Sequence, residues 1–100
     1  MTQINVKTPW GKKTFNMTED ELIAEYAEGV YCLYENEWND GHREAMPTVD
    51  EIVEEVYKDI ASGEKVEIFI DGLGFEYAFS DAVKFRGAEH IKAVIRKAVA

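Results

Sequence analysis

The chain predicts an α+β domain in which two hairpins form a four-stranded antiparallel sheet that carries three helices, in the order ββααββα. Three features of its 100 residues predict this class. Apolar and polar residues alternate on both sides of a Pro-Trp-Gly turn, and again on both sides of an Asp-Gly turn. Two Thr-x-x-Glu boxes each open a stretch with apolar residues at helical spacing. The C-terminal stretch repeats that spacing without a box.

In the first hairpin Ile4 and Val6 point one way while Gln3, Asn5 and Lys7 point the other, and the alternation resumes at Phe15 and Met17. Period-2 runs about a Pro/Gly turn pair as antiparallel strands. Thr18 then serves as an N-cap, with Glu21 reaching back to its backbone N–H. The helix that follows should run to about Asn36. At ~100° per residue its apolar half takes Leu22, Ile23, Tyr26, Ala27, Val30, Leu33, Tyr34 and Trp38. Gly29 inside it costs ~1 kcal/mol relative to Ala and marks a close contact, a kink or neither.

Residues 39–47 form a polar loop of a length that often carries function. Thr48 and Glu51 make the second box, and its helix turns Val49, Ile52, Val53, Val56, Tyr57 and Ile60 to one face before closing at Ser62-Gly63. Val66, Ile68 and Ile70 alternate with Glu67 and Phe69. Beyond Asp71-Gly72-Leu73-Gly74, Phe75, Tyr77 and Phe79 alternate with Glu76 and Ala78. From about Ala88 a last helix places Ile91, Val94, Ile95 and Ala98 on one stripe, with Lys92, Arg96 and Lys97 off it, where they suit the negative end of the helix dipole. Residues 81–87 fit either a helical turn or a short strand.

The length implies one domain over residues 1–100, and 46% hydrophobic residues suffice to build its core. No apolar run approaches ~18 residues, and the N-terminal residues lack the apolar stretch of a signal peptide. Cys32 is the only cysteine, so no internal disulfide can form and a cytoplasmic setting is expected.

Charge is sorted into blocks. Residues 18–62 carry −12, with only Arg43 and Lys58 against fourteen acids, while residues 1–17 and 81–100 each carry +3 and the chain totals −9. This balance opposes direct binding of nucleic acid, whose affinity rests on Lys and Arg contacts to phosphate, and of anionic membranes. In the first helix Glu21, Glu25, Glu28 and Glu35 fall within an ~80° arc opposite the apolar half. In the second, Asp50, Glu51, Glu54, Glu55 and Asp59 fill the polar half. Like-signed i,i+4 pairs such as Glu21–Glu25 and Glu51–Glu55 each cost a few tenths of a kcal/mol, which a merely soluble helix avoids by mixing signs.

Rows of carboxylates can imitate spaced phosphates and occupy a basic groove. Small acidic inhibitors of phages and mobile elements act in this way on restriction enzymes and CRISPR nucleases, and the chain is similar to them in size and charge. The expected function is therefore a non-enzymatic binding protein that covers a basic, nucleic-acid-binding surface of another protein. Its contacts would be Glu21, Glu25, Glu28, Glu35, Glu51, Glu54, Glu55 and Asp59, with Trp10 as an aromatic anchor. The alternative is a generic interaction or oligomerisation module whose acidity only confers solubility.

Other chemistry is weaker. Trp10, beside Lys12 and Lys13 at a hairpin tip, is either an exposed anchor or folded back as core, and Trp38 is read as core. Asp40, His42 and Glu44 are spaced as metal ligands, but a site needs three or four converging groups, and a solvated loop is the better reading. Cys32 projects among glutamates with no histidine base spaced to activate it, which opposes nucleophilic catalysis. Gly72-Leu73-Gly74 lacks the third glycine and following helix of a phosphate cradle. Neither an enzyme, a metal nor a cofactor is expected.

Overall fold

The computed structural model describes residues 2–79 and 82–100. It orders them as β1 (Thr2–Thr8), β2 (Gly11–Met17), α1 (Glu19–Asn39), α2 (Val49–Ala61), β3 (Lys65–Ile70), β4 (Leu73–Ala78), α3 (Ala82–Arg86) and α4 (Ala88–Val99).

The α+β class is as expected, but the expected four-stranded sheet does not form. Among the described residues strands pair only within each hairpin, giving two separate two-stranded antiparallel sheets, β1–β2 and β3–β4. Each ladder is specified locally. In β3–β4 the Asp71-Gly72 turn has positive φ at both central residues (53° and 78°), the backbone that two-residue hairpins favour. The hairpins meet through side chains instead of a ladder. Phe15 stacks on Phe75 with ring centroids 6.3 Å apart, and Lys13 Nζ lies 3.4 Å from Asp71 Oδ2.

The described residues form four helices where three were expected. Residues 82–86 of the ambiguous stretch form the short helix α3, and Gly87, at φ 82°, separates it from α4. Position 81 lies outside the described residues.

Both capping boxes close as the sequence predicts. Thr18 Oγ1 accepts from Glu21 N at 3.1 Å while Glu21 Oε1 accepts from Thr18 N, and Thr48 and Glu51 repeat the exchange. α1 runs about one turn past its expected end, and Asp40 N–H then donates to Asn36 O at 2.9 Å. One cluster of buried side chains joins every element except β2 and β4: Ile4 and Val6 of β1, Leu22 and Ile23 of α1, Ile52, Val56 and Ile60 of α2, Ile68 of β3, and Ile91 and Ile95 of α4, with Phe79 after β4 and Ala82 of α3. α4 packs against both α1 and α2. The α3–α4 junction is tied to the first turn of α1, where Arg86 Nη1 reaches Asp20 Oδ1 at 3.0 Å and His90 Nε2 lies 2.9 Å from Asp20 Oδ2.

Gly29 does not mark a close contact. It is exposed, and a Cβ built on it would meet nothing within 4 Å. Gly29→Ala is therefore expected to stabilise the fold by about 1 kcal/mol, the helical preference of Ala, and to raise Tm by ~4–8 °C in a thermal melt.

Candidate functional site

The carboxylates singled out by the sequence separate into two groups. Those of α2 are engaged within the fold. Glu54 Oε1 accepts from Lys92 Nζ at 3.0 Å, and the neighbouring Asp50 Oδ1 accepts from Arg96 Nη2 at 2.6 Å, so two cations of α4 reach across to the acidic side of α2. Asp59 Oδ2 accepts from the Tyr26 hydroxyl at 2.7 Å, and Glu55 accepts from the Tyr34 hydroxyl. Glu51 spends its side chain on the capping box, and those hydrogen bonds to Thr48 hold its carboxyl below the usual range. Glu21 does the same work for α1.

Glu25, Glu28 and Glu35 are different. They leave α1 on the side away from α2, and among the described residues none has an ion pair or a side-chain hydrogen bond. Glu25 is half-buried. Burial, and then the charges of Glu28, Asp71 and Glu21, raise its pKa above the ordinary carboxylate value. The two acidic sets line different recesses: Glu25 and Glu28 border a groove between α1 and β3, whereas Glu51, Glu54 and Glu55 border a cleft at the α1–α2 connection with Arg43.

The groove beside α1 has a volume of about 670 Å³. Gly29, Cys32 and Leu33 supply its helical wall and Phe69 its strand wall, with Glu67 at the edge. Leu33, which the spacing places on the apolar half of α1, is 58% exposed and lines the groove that faces β3. Phe69 is 56% exposed. It shares the outer face of β3 with Glu67, out of phase with inward Val66, Ile68 and Ile70. Its ring lies across Gly74, its partner in the β3–β4 register, and a Cβ at Gly74 would meet Phe69 Cε1 at 2.8 Å. Glu67 stands directly opposite Glu76 in the same register, which adds negative charge to that face at a cost in pairing. The period-2 phase of β3 carried the signal for Phe69. Only the helix–strand packing shows that Leu33 joins it.

Of the remaining residues, Trp10 does not fold back: it is 91% exposed at the β1–β2 turn, where its backbone N–H donates to Thr8 Oγ1 at 3.2 Å. Trp38, expected as core, is nearly half exposed at 48% near the end of α1. Asp40, His42 and Glu44 lie on the exposed loop, and among the described residues no three metal-ligating side chains converge. Arg43 packs from that loop onto α1, its guanidinium 4.5 Å from the Tyr34 ring centre and 3.3 Å from Glu37 Oε2. No helix is long and apolar enough to cross a membrane among the described residues. Comparison with protein-family models, with curated proteins and with solved structures gives no match to the chain.

Proposed function

We propose that this chain is a non-enzymatic, cytoplasmic binding protein whose acidic α1 side covers a basic surface of another protein, in the manner of a decoy for nucleic acid. The supporting observation is the row Glu25, Glu28 and Glu35, which projects from one side of α1 with no cation to balance it among the described residues. Crowded carboxylates hold electrostatic free energy that an approaching cation releases, and the charges of Glu28, Asp71 and Glu21 add to burial in raising the Glu25 pKa. The α2 carboxylates expected in the same contact set already have partners in Lys92, Tyr34 and Tyr26, so the proposed contact narrows to α1. A second reading, an interaction module anchored by an aromatic side chain, is favoured by the near-complete exposure of Trp10.

The test is retention of nucleic-acid-binding proteins on the immobilised chain at ~50 mM and ~300 mM salt, with competition by duplex DNA. The decoy reading expects retention at low salt only, loss on adding DNA, and loss in the triple variant Glu25→Lys, Glu28→Lys, Glu35→Lys. Relief of like-charge repulsion should leave that variant's Tm unchanged or higher. Retention that survives both high salt and the triple variant but fails in Trp10→Ala would transfer the interface to the hairpin tip.

A further inference from the structure

We propose that the groove between α1 and β3 receives an amphipathic basic segment of the partner protein, one apolar side chain lodging between Leu33 and Phe69 while flanking Lys or Arg residues meet Glu25, Glu28 and Glu67. This rests on the reading of the chain as a binding protein and gives it a chemistry that phosphate imitation alone lacks. A surface shaped only to mimic phosphate has no use for an apolar floor, yet here two large apolar side chains stand more than half exposed in one recess.

The acidic rim selects the occupant. An anionic ligand, a nucleic acid or a membrane headgroup would bring negative charge against Glu25, Glu28 and Glu67, and a neutral hydrophobe would leave their charges unanswered. A segment pairing an apolar anchor with cations satisfies floor and rim together. The fold keeps the floor open by two means. Gly74 lets the Phe69 ring lie flat across β4, and Gly29 leaves the helical wall without a side chain that would fill the recess. Among the described residues no cation pairs with Glu25, Glu28 or Glu67: Lys13 reaches Asp71, and Lys65, on the outer face of β3, lies 4.0 Å from Glu76.

The experiment compares two labelled synthetic peptides of about 18 residues and equal charge, one an amphipathic Leu/Lys helix and the other with every Leu replaced by Ser, by fluorescence anisotropy at low salt. The Leu/Lys peptide is expected to bind at least roughly tenfold more tightly, and Phe69→Ser or Leu33→Ser to abolish that advantage while leaving the Ser/Lys peptide unaffected. Both positions are more than half exposed, so these variants should fold. Gly74→Ala, which pushes the Phe69 ring aside without changing charge, should weaken only the Leu/Lys peptide. In the wild-type chain, saturation with that peptide should slow alkylation of exposed Cys32. Equal affinity for the two peptides, or no protection of Cys32, overturns the groove and leaves the electrostatic reading standing. Failure of both peptides to bind overturns both. Self-association of the free protein that Trp10→Ala abolishes would give the groove to a second copy, and would likewise overturn the proposal.

Discussion

Ile95→Ala is expected to destabilise the protein by about 2–5 kcal/mol, the range for truncating a fully buried aliphatic side chain. Ile95 has no exposed surface and belongs to α4, the helix that packs against both α1 and α2. Removing its outer carbons therefore opens a void where three helices meet, and a cluster assembled from short elements has little freedom to close it. Against a total stability of ~5–15 kcal/mol for a domain of this size, the loss is a large fraction of the whole. Thermal denaturation should show Tm lower by at least ~10 °C. Ile95→Val removes only one methyl group and should cost ~0.5–1.5 kcal/mol, so the graded pair separates a cavity effect from general intolerance at the site. Equal Tm values for the two variants would contradict the packing described for α4.

The second large effect concerns Tyr26. Tyr26→Phe removes the donor to Asp59 and is expected to cost ~1–2 kcal/mol near neutral pH, since hydrogen bonds to a charged acceptor contribute more than neutral ones and this pair is partly buried. The pH dependence follows from the same contact. Burial, the hydrogen bond to Asp59, and the charges of Asp59, Glu55 and Tyr34 push the Tyr26 hydroxyl well above its ordinary value. Tyr34 is pushed up to about 12, chiefly by its hydrogen bond to Glu55, then by burial and the Glu55 charge, with Arg43 acting in the opposite sense. Both groups hold their protons more tightly when folded. Their contribution is complete below the unfolded value near ~10 and is lost as pH rises through the folded values. Melting temperature should therefore fall steeply above pH ~10 in the wild-type chain. Tyr26→Phe should start lower and fall less. Since the hydrogen bond to Glu54 raises the Lys92 pKa and that pair is also lost at high pH, the difference between the two curves is the quantity that reports Tyr26.

These two residues also show how far the sequence is legible. Ile95 was assigned to the core from its stripe alone, because helical periodicity is a local property and α4 obeys it. Both capping boxes were readable for the same reason. Tyr26 was assigned to the apolar half, and its ring does pack against the core, but nothing in the linear order says that its hydroxyl finds Asp59, thirty-three residues away. Lys92 and Arg96 were read as serving their own helix dipole, whereas they bind Glu54 and Asp50 of α2. The acidic arcs on each helix follow from helical spacing alone. Which arc faces a neighbouring helix and which faces solvent depends on tertiary packing, and that decides why Glu25, Glu28 and Glu35 remain open while Glu55 and Asp59 do not. The four-stranded sheet failed at the same level: hairpin turns specify pairing across a few residues, and no local signal joins β1 to β4.

That missing join affects how the molecule assembles and opens. Every β ladder here links strands adjacent in the chain, so no strand must search for a distant partner before it gains hydrogen bonds. Hairpins of this kind close on a scale of ~1–10 μs, and such local pairing favours fast folding. Once folded, the first hairpin meets the second through rings and an exposed ion pair and meets the core through Ile4 and Val6, with no shared ladder. It can therefore detach as a unit while β3–β4 keeps its own hydrogen bonds, and the amide protons of β1 and β2 exchange with solvent through an opening cheaper than global unfolding.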